Sequence, residues 1–340
     1  MVDRDLRSLP KAELHLHLPG AMRPTTYIEL STRAGLTAPD PRDFSGFNEF
    51  QVIYRSAKAS MTNREDLQRL IREVVEDAAS DGVVWVQPHF DPFTYPNFGT
   101  ADQVLALALA TGHEAGAQHG VGFGLTLAAM RHHGPGAAMD LARFAARYAG
   151  RGVYAFGLAG DEAAFTTEPF AAAFAVARAA GLTSAPHAGE MAGPASVRAA
   201  VNYLGADRIA HGIRAIEDPE TVKLLRDRQI TLDVCLTSNR VLGIVGALSE
   251  HPLRRLLDAG IACTLGADDP LLFGTRVLGE YENARTHLGL TNPLLAAIAC
   301  TSVATSDAPP ELIADALRRI DHWLTEPDQS PTAHASWRTD

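Results

Sequence analysis

Cysteine is scarce in this sequence. Of 340 residues only Cys235, Cys263 and Cys300 are cysteine, and they are far apart, with no Cys-x-x-Cys. That excludes a disulfide framework and a zinc site built on thiolates. Cys235 and Cys263 sit inside apolar runs and read as small core residues. Long apolar runs are also missing, and none reaches the roughly 20 residues of a membrane-spanning helix. The N-terminus, Met1-Val2-Asp3-Arg4-Asp5, leads into no apolar segment of signal-peptide type. Basic clusters are absent and the formal charge is −10, which argues against a nucleic-acid partner. A small, neutral or weakly charged ligand fits better. No stretch repeats in tandem. The expectation is therefore a cytoplasmic enzyme or binding protein, with neither membrane nor nucleic acid as partner.

What is present is an ordinary globular composition, 46% hydrophobic and 21% charged, enough to bury a large core. The chain exceeds the usual domain size, but α/β barrels routinely pass 250 residues as one domain. Strand-like and helical runs alternate along most of it. The strand candidates are Glu13–Leu18, Val83–Phe90, Val121–Ala128, Val153–Ala159, Leu182–His187, Arg208–His211, Thr231–Leu236 and Ala262–Gly266. Between the later strands the helical runs are Ala101–Gln118, Ala138–Tyr148, Glu168–Ala180, Pro194–Leu204, Pro219–Asp227 and His251–Ala259. Alternation of this kind implies a parallel sheet. Eight units predict a (β/α)8 TIM barrel of the α/β class. A doubly wound sheet would want a Gly-rich turn after an early strand, and Pro19-Gly20-Ala21 is not one.

Extra helices are expected between the first two strands, from about Thr25 to Ser80, with turn-rich residues at Thr37–Asp43. Arg64–Ala79 is amphipathic, with Leu67, Leu70, Ile71, Val74 and Val75 as its apolar face. Phe44, Phe47, Phe50 and Tyr54 have a partly helical spacing that suits either helix packing or a lid wall over a site. Residues 1–325 are read as one domain. Residues 326–340, rich in Pro, Gln, Ser, Thr and Ala, are read as a flexible tail.

A barrel keeps its chemistry at the C-terminal ends of its strands. The first strand alternates so that Glu13, His15 and His17 share one face. The fifth ends His187-Ala188-Gly189-Glu190, the sixth His211-Gly212, and the eighth Ala267-Asp268-Asp269-Pro270. Polar residues that are costly to bury thus follow apolar runs at one end of the barrel. Three imidazoles and a carboxylate, His15, His17, His187 and Asp268, would hold one zinc ion and leave a position for water. His211 is then left as a base beside that water, and Glu190 as an acid if its pKa is raised. Asp268 and Asp269 divide into a metal ligand and a group aimed at substrate.

Several of these stretches match one family in order. They are Leu9-Pro10-Lys11-Ala12-Glu13-Leu14-His15-Leu16-His17-Leu18, Met130-Arg131-His132, Leu158-Ala159-Gly160-Asp161-Glu162, His187-Ala188-Gly189-Glu190, Arg208-Ile209-Ala210-His211-Gly212, Ser238-Asn239 and Asp268-Asp269-Pro270. On them the chain resembles the adenosine/adenine deaminase family of the metal-dependent amidohydrolases, from Leu9 to about His322. The resemblance implies zinc on His15, His17, His187 and Asp268, and His211 orienting and activating the attacking water. It implies Glu190 protonating the purine at N1, Asp269 hydrogen-bonding N7 and the Gly160 N–H meeting N3. The reaction implied is hydrolytic deamination of a 6-aminopurine nucleoside to its 6-oxo product, with loss of ammonia. Val153–Ala159 carries no lysine or carboxylate to bridge a second metal, so one ion is expected. The zinc-deaminase signature for cytidine, H-x-E with P-C-x-x-C, is absent.

Departures from the family pattern cluster around substrate choice. Pro19 stands where relatives carry an acid that binds the ribose 5′-hydroxyl, and proline can neither accept that bond nor donate an N–H. This weakens plain adenosine and suits a purine modified at the 5′ position, as in the aminodeoxyfutalosine deaminases. Relatives also favour glutamate and arginine at Gln87 and His89. His89 reads as a pocket residue or a satisfied structural histidine. Gly157, Leu236 and Ala267 replace an aspartate, a proline and a Ser/Thr, and none of these changes removes a metal ligand or proton carrier.

Overall fold

The computed structural model describes residues 3–325. The expected tail, 326–340, lies outside the described residues. Ten strand segments form the sheet: β1 (Lys11–Glu13), β2 (Val83–Val86), β3 (His89–Phe90), β4 (Gly122–Phe123), β5 (Leu125–Met130), β6 (Val153–Ala159), β7 (Thr183–Ala188), β8 (Arg208–His211), β9 (Thr231–Val234) and β10 (Cys263–Leu265). All pairings are parallel, in the orders β1-β2-β4 and β10-β9-β8-β7-β6-β5-β3. They make eight barrel staves, because β2/β3 and β4/β5 are each one expected strand with a break. The first break falls at Gln87-Pro88, where proline has no N–H to donate to the ladder. The second falls at Gly124, where a Cβ would lie 2.6 Å from the Tyr154 ring and 2.7 Å from Trp85.

The first strand is shorter than its alternation predicts. After Glu13 the regular ladder stops, and Leu16 and His17 make single bridges to Asp268 and His89. The His17 N–H donates to the Asp268 carbonyl at 2.8 Å, the Asp268 N–H to the His15 carbonyl at 3.0 Å, and the His89 N–H to the Leu16 carbonyl at 2.7 Å. The two bonds with Asp268 close the ring between first and last staves at the mouth of the barrel, and the third ties the first stave to the second. Glu13 does not stay with the histidines: its carboxylate accepts from the Ala267 N–H at 3.3 Å. Burial pushes it up to about 8, with Asp81 adding to the rise.

Three helices precede β2: α1 (Pro24–Arg33), α2 (Gly46–Ser60) and α3 (Arg64–Ser80). The expected apolar face of α3 is buried, at roughly 1.5–3 kcal/mol per large side chain. Asn63 caps it by accepting from the Asp66 N–H at 3.0 Å. Outer helices follow as α4 (Ala101–His119), α5 (Gly134–Ala146), α6 (Ala171–Ala179), α7 (Pro194–Ala199), α8 (Pro219–Asp227), α9 (Leu236–Val241), α10 (Leu253–Asp258) and α11 (Pro270–Phe273). Three further helices, α12 (Val277–Leu288), α13 (Asn292–Ala304) and α14 (Pro310–Thr325), close the described chain, and none was expected. For α13, whose residues are almost all apolar, no stripe marks the helix. For α14 the signal existed, since Ala316, Ile320 and Trp323 recur at helical spacing and are buried.

Candidate active site

The mouth of the barrel gathers the residues that the strand ends offer. His15 and His17 follow β1, His187 lies in β7, His211 ends β8, and Asp268 and Asp269 follow β10. His15 Nε2 and His17 Nε2 each lie 3.2 Å from His187 Nε2. The same two atoms lie 3.6 and 3.4 Å from Asp268 Oδ1. Ligands 2.0–2.1 Å from a tetrahedral zinc ion stand about 3.3–3.4 Å from one another. The four donor atoms therefore have the spacing of a metal shell.

Their protonation agrees. His15 Nδ1 lies 2.9 Å from the Asp233 carbonyl, so that nitrogen carries the proton and Nε2 faces the cluster as a bare lone pair. Burial lowers His17 to about 4, against the pull of Asp268, and holds His187 well below the usual imidazole range. Burial alone would raise Asp268, but His15, His211 and His17 bring it down to about 2. Imidazole nitrogens turned towards one another and towards a carboxylate are the donor set that a divalent cation accepts. Cys235, expected as a core residue, lies with its Sγ 3.3 Å from His15 Nδ1. Burial and neighbouring carboxylates raise that thiol well above its usual range, and it lies against the His15 nitrogen that also faces the Asp233 carbonyl.

Glu190 and His211 face each other, with Oε1 3.5 Å from Nε2. Burial, reinforced by Asp268 and Glu162, pushes Glu190 well above the usual carboxylate range, the direction that favours its acid form. Its position is fixed by Glu162, whose carboxylate accepts from the backbone N–H groups of Gly189, Glu190, Met191 and Ala192 and from the Ser196 hydroxyl. Arg131, fully buried, donates to the His187 carbonyl at 2.8 Å and holds the end of that strand.

A chain of hydrogen bonds sets the His211 tautomer. The Leu253 N–H donates to His251 Nδ1 at 3.1 Å, so His251 carries its proton on Nε2. That proton goes to Asn239 Oδ1 at 3.1 Å, which turns Asn239 Nδ2 towards His211 Nδ1 at 3.2 Å. His211 Nδ1 is thus an acceptor, and the neutral ring bears its hydrogen on Nε2, aimed at Glu190 and Asp268. The atom at which a base is expected thus faces Glu190 and Asp268. His211 (φ 63°) and Asp268 (φ 61°) both have left-handed backbone, strain that side chains other than glycine sustain at roughly 1–3 kcal/mol where a site requires it.

Asp268 is oriented from the other side by Ser238, whose hydroxyl donates to Oδ2 at 2.6 Å. Asp269 is buried, its Oδ1 has no partner, and burial beside Asp268 raises it well above its usual value. A Cβ on Gly20 would lie 1.6 Å from that Oδ1, so only glycine admits the carboxyl here. A pocket of about 60 Å³ covers the cluster, lined by His17, His187, Glu190, His211, Asp268, Asp269 and Gly160.

Phe47, Phe50 and Tyr54 of α2 form the opposite wall. Phe50 stacks on Phe273 at 5.4 Å and Tyr54 meets the His17 ring edge-on at 6.3 Å, so these rings both pack and cover the site. Pro19 and His89 line an adjoining cavity of about 480 Å³. The His89 ring lies 4.8 Å from that of His17, and its buried Nδ1 has no partner. It is no satisfied structural histidine.

The structure brings His15, His17, His187, Glu190, His211, Asp268, Asp269 and Gly160 together, and Pro19 stands in the adjoining cavity. Sequence reasoning missed Glu162, His251 and Cys235. Glu162 could have been found, because it closes the quoted Leu158–Glu162 stretch. His251 stands in an expected helix with nothing local to mark it.

With this geometry in view, the adenosine deaminase family profile matches residues 10–323. A Streptomyces coelicolor protein named as an adenosine/adenine deaminase is 44% identical over 94% of this chain and 98% of its own length. The aminodeoxyfutalosine deaminase of Acidothermus cellulolyticus is 35% identical over 98% of this chain and 96% of its own. The crystal structure of adenine deaminase from Arthrobacter aurescens superposes with a TM-score of 0.86 at 29% identity, over 93% of this chain and 99% of that one. The profile and these relatives run along almost the whole chain, which belongs to the adenosine deaminase family.

Proposed function

We propose that this hydrolytic deaminase acts on a 6-aminopurine nucleoside, adenosine or an adenosine modified at its 5′ position, and uses one zinc ion. The observation that carries the reading is the set of four donor atoms 3.2–3.6 Å apart, beside Glu190 and His211, which face each other at 3.5 Å. His15, His17, His187 and Asp268 would hold the ion. When bound, zinc supplies Lewis-acid activation of water near neutral pH.

The chain's own groups do the rest. Glu190, neutral because it is buried, gives its proton to the ring nitrogen next to the amino-bearing carbon and makes that carbon electrophilic. His211 donates from Nε2 to the oxygen that adds there, a dipole in place before charge develops. Asp269 points its protonated carboxyl at the imidazole side of the purine, and the Gly160 N–H meets the far ring nitrogen. The carboxylate left on Glu190 takes up a proton from the attacking water. That proton restores the acid whose own proton now sits on the ring nitrogen, and the water's other proton leaves on the departing ammonia.

Adenine and aminodeoxyfutalosine are the alternative substrates, and relatives named for each resemble the chain. The cavity beside the pocket favours a nucleoside over the free base. The test is ammonia release by zinc-loaded protein from adenosine, adenine, 5′-deoxyadenosine, 5′-methylthioadenosine and aminodeoxyfutalosine. Zinc-loaded protein that turns over none of them sinks the reading.

A further inference from the structure

The pocket over the donor atoms, at about 60 Å³, is too small for a nucleoside. It continues into the cavity of about 480 Å³, and His17, Gln51, Tyr54, Met130 and Ala159 line both. Whatever is attached to a purine held over the donor atoms must enter the larger space. We propose that this cavity is a subsite for a negatively charged group on the 5′ side of the nucleoside, received by Arg55 and Lys58. The substrate class is then an adenine nucleoside ending in a 5′ carboxylate or phosphate. The proposal rests on the deaminase reading above and narrows it.

Four observations support it. First, the sign of the charge is locally reversed. The chain carries −10 overall, yet Arg55, Lys58, His132 and His133 line this cavity and Asp91 is the one acid among its lining residues. Second, the two cations are uncommitted. Other arginines of the chain, Arg23, Arg69, Arg208, Arg214 and Arg276, are tied to carboxylates. Among the described residues no carboxylate comes within ion-pair distance of Arg55 or Lys58. Lys58 rests its ammonium 4.7 Å from the centre of the Tyr95 ring instead. Burial lowers it to about 8 against the pull of Asp91, as expected of a cation lacking a close counter-charge. Third, Pro19 lines the same cavity, and it supplies no carboxylate to repel an anion or bind a 5′-hydroxyl. Fourth, Phe90, Phe93 and Tyr95 form the rest of the wall, so an apolar or aromatic spacer between ribose and anion is accommodated.

The test compares kcat/KM of the zinc-loaded enzyme for adenosine, uncharged 5′-methylthioadenosine, adenosine 5′-carboxylic acid and adenosine 5′-monophosphate. At least one anionic nucleoside should exceed both uncharged ones by tenfold to a hundredfold, and which one identifies the anion. In an Arg55→Ala/Lys58→Ala double variant the ratio of anionic to uncharged kcat/KM should fall at least tenfold. Arg55→Lys should keep most of that ratio, because it keeps the charge. The anionic substrate's KM should also rise with salt, since exposed charge pairs are screened. Equal use of charged and uncharged 5′ groups overturns the subsite and leaves the deaminase reading standing, as does an unchanged ratio in the double variant. Turnover of no 6-aminopurine, adenine included, overturns the deaminase reading and the subsite with it.

Discussion

The two walls of the site are built differently. The barrel wall carries the chemistry on strand ends, and each group there is held from behind: Glu190 by its Glu162-bound turn, His211 by Asn239 and His251, Asp268 by Ser238. The α2 wall carries Phe47, Phe50, Tyr54, Arg55 and Lys58 on one inserted helix, where Phe50 leans on Phe273 and Arg55 is exposed. The barrel wall is over-determined, because moving one group breaks several buried hydrogen bonds. The α2 wall can change a side chain at little cost to the fold. On the proposed function, reaction type and substrate choice belong to parts of the molecule with different tolerance to substitution.

Substitutions on the barrel wall should be severe and those on α2 graded. The largest effect belongs to Glu190→Gln, which removes the proton carrier and keeps the shape. A fall in kcat of roughly 10²–10⁴-fold is expected, with zinc content unchanged by metal analysis. Retained activity would remove Glu190 from the chemistry. Next is Glu162→Gln, which turns an amide N–H₂ towards backbone N–H groups that a carboxylate satisfied. It should cost roughly 2–4 kcal/mol in denaturant unfolding and lower kcat, because the Glu190 turn loosens. A variant as stable as the parent would show that the turn does not depend on this carboxylate.

His251→Leu cuts the relay behind His211 without touching the pocket. We expect kcat to fall about tenfold to a hundredfold, as when an orienting partner is lost, while KM and zinc content hold. An equal rise in KM would point to general distortion instead.

Glu280 gives a pH test of the same wall. It accepts from the Leu236 N–H at 2.6 Å and supports α9, which carries Ser238 and Asn239. Burial raises it from 4.5 to about 7. The native state therefore binds more protons than the unfolded chain between those values, and this contribution to stability is present below 4.5 and lost as pH rises through about 7. Glu280→Gln cannot ionise, so its stability should improve relative to the parent across pH 5 to 8, by roughly 1–3 kcal/mol. Parallel melting curves at every pH would refute the shift. The smallest effect is expected on the other wall, where Phe50→Ala should raise KM only severalfold, with kcat and Tm nearly unchanged. A loss as large as that of His251→Leu would erase the contrast between the walls.

The difference also explains what could be read in the sequence. Strand ends announce themselves, since His15, His17, His187, His211 and Asp268 stand directly after apolar runs, and barrel geometry brings such ends together. The groups behind them were harder to see. Glu162 and His251 act through backbone amides and a neighbouring side chain, contacts that leave no periodicity. The tautomer of His211 is set at the same remove, through a backbone N–H at Leu253 that no local pattern marks. The strand carrying His15 and His17 was expected to be regular, but the bonds to Asp268 and His89 replace its ladder. Helices α12 to α14 lie past the last strand, beyond the alternating rhythm that revealed the barrel.

The seam of the barrel has a further consequence for how the protein is made. The bonds that close the ring join His15 and His17 to Asp268, with Leu16 bridged to the same residue, so the stretch that would hold zinc is also the clasp between the first and last staves. Neither can form until the ribosome has delivered Asp268, by which time most of the chain has emerged and begun to pack. An ion gripped by both ends would pin the longest loop in the fold, the contact that costs the chain most entropy to make. Metal supply during synthesis would then govern how much of the newly made chain reaches its closed form, a matter of yield rather than of rate.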